Sequence, residues 1–168
     1  MKKITILFLC TLVFVSCEKD PARTAIDGVF AVMDDDVFKE YCRRFDKNKD
    51  SKLSLEEVHA VTTMDVPNKG VESLKGIEYF TSLTELICFN NNLSTLDLSK
   101  NRNLTYLWCH DNKLVSLDVS NNAALISLYC YNNPNLKTIY VWAGFDLVNP
   151  INSIGYISKD YHSNFVVK

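Results

Sequence analysis

Cys88, Cys109 and Cys130 stand 21 residues apart, each as the sixth residue of one phrase, Leu-x-x-Leu-x-Cys-x-x-Asn. The copies begin at Leu83, Leu104 and Leu125 and read LTELICFNN, LTYLWCHDN and LISLYCYNN, the first two continuing as NLSTLDLSKN and KLVSLDVSNN. A self-similar period of this length predicts a solenoid. One unit cannot bury its own apolar face, so each must stack on the next. The fold class that follows is an α/β solenoid of parallel strands with about four coils.

Leucines and cysteine point inward in such a phrase, so the alternating positions point out onto the sheet. Those are Glu85, Ile87 and Phe89, then Tyr106, Trp108 and His110, then Ser127, Tyr129 and Tyr131. Five of the nine are aromatic, where an unliganded solvent-facing sheet favours Thr, Lys, Glu or Ser. Tyr and Trp supply large contact area at little entropy cost and dominate binding hot spots. Phe89, Tyr106, Trp108, His110, Tyr129 and Tyr131 are therefore the candidate partner-binding residues. An extracellular protein suits the patch, and so does a glycan, since aromatic rings also stack on sugars. The competing expectation is that the apolar tail from Gly155 to Val167 folds over the patch. Asn91, Asn112 and Asn133 are expected to turn their amides inward and bond the backbone of their own bends.

The phrase resembles the leucine-rich repeat, and more narrowly the short bacterial internalin type. On that resemblance, residues 65–145 are the repeats, with VESLKGIEYFTSL (71–83) as a partial first one. Residues 146–168 lose the phase and are expected to form a C-terminal cap.

The chain opens Met1-Lys2-Lys3, runs apolar from Ile4 to Val15 and reaches Ser16-Cys17. This is the make-up of an export signal and is short for a membrane span. Phe14-Val15-Ser16-Cys17 resembles a bacterial lipobox, with Phe14 in place of the usual Leu. The resemblance implies lipidation at Cys17, a signal over 1–16, a tether over 17–24 and a lipid-anchored place in the envelope, at the outer membrane or cell surface. The lipid is then the only membrane contact. Removing 1–16 takes away two lysines and no acid, so the formal charge moves from −2 to −4. Mild acidity gives no support to nucleic-acid binding.

Six cysteines in an exported chain would ordinarily suggest disulfides. Here Cys10 leaves with the signal, Cys17 carries lipid, and three others share one position. Successive coils place equivalent side chains roughly 4.8 Å apart and parallel, which suits thiols packed as small hydrophobes better than crosslinks or a metal site.

Residues 25–64 read as a helical cap. Val37, Phe38, Tyr41, Cys42 and Phe45 form one stripe behind Asp34-Asp35-Asp36. A second helix is expected from Ser54, with Glu57 completing a capping box. Between them, the twelve residues Asp46 to Glu57 resemble an EF-hand loop. That resemblance implies calcium held by Asp46, Asn48, Asp50, the Lys52 carbonyl, Ser54 and Glu57, with Leu53 turned inward. Ser51 stands where the family uses glycine for a positive φ, at a cost of about 1 kcal/mol. The alternative is a metal-free, vestigial helix–loop–helix in a purely structural envelope protein.

No catalytic constellation has recognisable spacing, so the chain reads as a non-enzyme. His59, His110 and His162 fall in separate elements, and neither a Gly-rich phosphate loop nor a Gly-x-Ser-x-Gly elbow occurs.

Overall fold

The computed structural model describes residues 28–168. The signal segment, Cys10, Cys17 and the tether lie outside the described residues. Among the described residues, no helix is long and apolar enough to cross a membrane.

The chain is a parallel-strand solenoid of about five turns, closed at its N-terminal end by a small helical cap. In the cap, α1 (Asp36–Cys42) begins where the Asp35 carboxylate accepts the Phe38 N–H at 2.8 Å. The other Asp35 oxygen accepts N–H bonds from Glu72 (2.7 Å) and Ser73 (3.3 Å), tying the helix start to the first coil. Phe38, Tyr41 and Cys42 are buried. Val37 is not: it stands 44% exposed. The buried stripe runs Phe38, Tyr41, Cys42 and on to the partly buried Phe45, and Val37 lies about 100° around the helix from Phe38. The second helix, α2 (Leu55–His59), has Ser54 as its N-cap with the full reciprocal capping box to Glu57. Leu53 is fully buried, and its carbonyl accepts the Val29 N–H at 2.7 Å. Gly28 makes this approach feasible, since a Cβ there would lie 2.9 Å from the Leu53 nitrogen and its φ is +74°.

Five strands line one face: β1 (Thr63–Asp65), β2 (Glu85–Ile87), β3 (Tyr106–Trp108), β5 (Ser127–Tyr129) and β7 (Tyr156–Ser158), paired in that order and all parallel. A second sheet, β4 (Ser116–Asp118), β6 (Thr138–Val141) and β8 (Asn164–Val167), lies on the return side of the coils. Two boundaries differ from the sequence reading. Strand β1 belongs to the solenoid although it begins inside the span assigned to the cap. Its buried Val61, Met64 and Val66 fill the same three positions as Leu83, Leu86 and Cys88. The tail, assigned to a cap and suspected of covering the aromatic patch, instead adds β7 and β8 at the edges of the two sheets. Main-chain pairing on an open sheet edge satisfies the tail's polar groups, which lying flat over side chains would not.

Candidate functional site

Alternation along the three-residue strands turns the central residue inward and its neighbours outward. The central residue is buried in β1, β2, β3 and β5 and partly buried in β7, and Ser127, though outward, is buried among its neighbours. The pairing aligns those neighbours into two registers across the sheet. One runs Thr63, Glu85, Tyr106, Ser127, Tyr156, and the other Asp65, Ile87, Trp108, Tyr129, Ser158. Just beyond the strands a third column forms by ring stacking. His110 lies between Phe89 (4.7 Å, 7° between planes) and Tyr131 (4.5 Å, 7°). Those separations match the spacing of successive strands, so the column is as continuous as the sheet. Trp108 meets Tyr129 edge to face at 5.5 Å, and its indole N–H points to the Ser127 hydroxyl at 3.4 Å. All six aromatic and imidazole residues singled out from the sequence thus stand on one face. Tyr156, 70% exposed, joins Tyr106, 40% exposed, in the first register. The tail leaves the platform open and lengthens it.

His110 Nδ1 lies 2.6 Å from an Asp111 carboxylate oxygen. That contact, with a bond from the Asn132 amide (2.9 Å), holds the Asp111 carboxyl below its usual range. Asp111 itself has a φ of +54°, as do its equivalents Asn90 and Asn132 at +53°. Short polar side chains tolerate this left-handed conformation better than most, and the sharp bend it makes sets the stacked rings at the sheet's margin.

Behind the face runs the asparagine ladder. Asn112 Nδ2 donates to the carbonyls of Cys88 (3.0 Å), Cys109 (3.2 Å) and His110 (3.2 Å), while its Oδ1 accepts the Leu93 N–H at 3.0 Å. Asn91 and Asn133 repeat the pattern one coil to either side. A second, unforeseen ladder occupies the return side. There Asn101 Nδ2 donates to Ile77 O and Phe80 O, and Asn122 Nδ2 to Leu98 O and Asn101 O. The signal for it was the 21-residue spacing of those two asparagines. Cys42, Cys88, Cys109 and Cys130 are buried free thiols. Burial pushes Cys88 and Cys130 up to about 12, and lifts Cys109 and Cys42 as well.

The twelve-residue loop brings hard oxygen donors together, which is the chemistry a calcium ion takes. Those oxygens are turned to the loop's own backbone. Asp46 accepts N–H bonds from Asp50 (3.2 Å) and Ser51 (3.0 Å), Asn48 from Asp50 (3.0 Å), and Asp50 from Lys52 (2.8 Å). Glu57 accepts the Lys47 N–H at 2.9 Å and both the N–H and hydroxyl of Ser54. The Ser54 N–H chiefly holds the Glu57 carboxyl below its usual range. Ser51 adopts the positive φ, +65°, that its position demands. Among the described residues, no three His, Cys, Asp or Glu side chains converge on one point as a metal centre. The donor types fit a hard cation, and in this structure the same oxygens accept N–H bonds of the loop's own backbone.

No family model matches the chain. Internalin J of Listeria monocytogenes serotype 4b (strain F2365) is 42% identical over 68 residues, which are 40% of this chain and 7% of that protein. An internalin, InlF, of the same species superposes with a TM-score of 0.58 at 22% identity, covering 80% of this chain and 45% of that one. The fold is that of an internalin-type leucine-rich repeat. The functional domain of InlJ from Listeria monocytogenes, described as including a cysteine ladder, aligns over 82% of this chain and 48% of that one, with a TM-score of 0.45 and 22% identity. This chain thus spans a small part of its internalin J relative and less than half of either solved chain.

Proposed function

We propose that this chain is a cell-envelope binding module whose aromatic five-stranded face recognises an extracellular protein or glycan. The observation that carries this reading is the open platform itself. Tyr106, Trp108, Tyr129 and Tyr156 stand in two adjacent registers beside the stacked Phe89–His110–Tyr131 column. Ordered rings lose little further entropy on binding, so their contact area converts efficiently into affinity. No enzymatic step is invoked, because a flat ring-lined sheet offers a surface without a reaction chamber. A lipid on Cys17 would hold the module at the outer membrane or cell surface. Fatty-acid labelling that disappears in Cys17→Ala supports that anchor, and equal labelling of both proteins rejects it.

Calcium enters as a structural stabiliser at most. Held by Asp46, Asn48, Asp50, the Lys52 carbonyl, Ser54 and Glu57, it would have to draw Glu57 out of its capping box. That engagement of Glu57 favours a second reading, in which the loop is a metal-free joint between two helices.

The decisive variant is Trp108→Ala. Truncating a central aromatic hot spot costs about 2 kcal/mol or more, roughly thirtyfold in affinity. Pull-down and glycan-array binding should fall that far while circular dichroism and melting stay near wild type, since Trp108 faces outward. Undiminished binding, or an unfolded variant, overturns the assignment of the face.

A further inference from the structure

We infer that the partner presents lysine or arginine side chains to the five-stranded face, so that its occupant is a basic protein segment and not a neutral glycan. This rests on the reading of that face as the binding surface. The observation is charge. The two registers hold ten outward positions on five strands. None is lysine or arginine, in a chain with 18 such residues. Two of the ten, Asp65 and Glu85, are carboxylates on neighbouring strands at the edge nearest the cap. At the other end of the sheet stands Asp160, whose oxygens accept the N–H groups of Asn132 and Asn133 at 2.9 Å. The rings lie between these acids.

A ring face attracts a cation through its quadrupole, and a carboxylate does so directly. The chain uses this pairing on itself. Lys168 Nζ is 4.3 Å from the Tyr140 ring centroid while bonded to the Asp118 carboxylate, on the return side. The Arg44 guanidinium lies 3.9 Å over the Tyr41 ring. On the five-stranded face the same ingredients are set out without a cation of the chain among the strand positions. The nearby candidates are engaged elsewhere. Lys159 donates to the carbonyls of Ser163 (2.6 Å) and Asp160 (3.3 Å), and His110 is bonded to Asp111. Arg44 is held over the Tyr41 ring, whose hydroxyl accepts the Asp65 N–H at 2.8 Å, and Lys69 lines the same hollow. Both cations thus sit at the capped edge and outside the ten strand positions. A neutral sugar would use the rings and donate hydroxyls to the flanking acids, but would leave their negative charge uncompensated, which a cation neutralises directly.

The test titrates the mature protein with an alternating Gly–Arg peptide and with its twin carrying citrulline at every arginine. Citrulline keeps the planar, hydrogen-bonding side chain but removes the charge, exchanging one NH2 donor for a carbonyl acceptor. Neutral oligosaccharides form the third arm. Calorimetry is run near pH 8, at low and high salt. The arginine peptide should bind about tenfold or more tightly than the citrulline peptide, and salt should weaken it. Asp65→Asn with Glu85→Gln should reduce binding by about tenfold at unchanged melting temperature. Equal binding of the two peptides, no binding of either, or tighter binding of an oligosaccharide overturns the inference. Oligosaccharide binding that Trp108→Ala removes would overturn the cationic partner alone and leave the face as the interface. Arginine-peptide binding that survives Trp108→Ala would overturn the face assignment as well.

Discussion

Asn112→Ala should be among the most damaging single substitutions on the solenoid, although it removes no apolar contact of the leucine core. The side chain is 4% exposed and makes four hydrogen bonds, all to backbone. Truncation strips the buried Leu93 N–H of its acceptor, and an orphaned buried donor costs about 1–3 kcal/mol. The carbonyls of Cys109 and His110 each keep a second donor, the Asn133 amide and the Asn90 N–H (both 3.1 Å), so each loses only about 0.5 kcal/mol. Cys88 O is in the same position, because Asn91 Nδ2 still donates to it at 3.0 Å. The total is about 2–4 kcal/mol, a large share of the 5–15 kcal/mol typical of a domain. At about 2–4 °C per kcal/mol for a chain of this size, melting should fall by roughly 5–10 °C. Asn103→Ala serves as the control. Its exposed amide makes one bond, to Thr81 O at 3.1 Å, and its loss should cost no more than about 0.5 kcal/mol. Urea unfolding followed by circular dichroism measures both. If Asn112→Ala falls within about 1 kcal/mol of wild type, or Asn103→Ala matches it, the ladder does not hold the coils together. Because Asn112 also anchors the carbonyl of His110, the same variant should loosen the Phe89–His110–Tyr131 stack and weaken partner binding.

Alkaline pH should destabilise the fold through its thiols. An unfolded thiol ionises near pH 8.5, whereas Cys88 and Cys130 keep their protons to about 12. Above about pH 8.5 the unfolded state therefore binds fewer protons, and stability falls by about 1.4 kcal/mol per pH unit for each buried thiol. A melting temperature unchanged between about pH 8 and 10.5 would refute that burial, and Cys109→Ala should flatten the decline. Calcium at ten to a hundred times its Kd would add about 1.4–2.7 kcal/mol. Identical melting in calcium and in chelator, or a response retained by Glu57→Gln, would leave the loop as a metal-free cap.

What the sequence by itself determined is whatever the repeat makes local. Alternation within LTYLWCHDN sets which of its side chains enter the core, so the facing of Tyr106, Trp108 and the inward turn of Asn112 were legible from one line of text. The capping box of Ser54 and Glu57 was equally local, since its four residues find each other within one helical turn. Tertiary structure decided the rest. Val61-x-x-Met64-x-Val66 and Ile154-x-x-Ile157 occupy the phrase positions with other residues, because the core demands apolar volume and shape, not leucine or cysteine by name. The tail joins the sheet only after a longer excursion, with Ser127 pairing to Tyr156. No fixed period announces that step, because an open strand edge accepts any segment whose backbone can reach it. The stacked column of Phe89, His110 and Tyr131 and the union of Asp65, Glu85 and the rings on one surface exist only once the coils are in register. That register is chosen by backbone pairing between segments far apart in the chain.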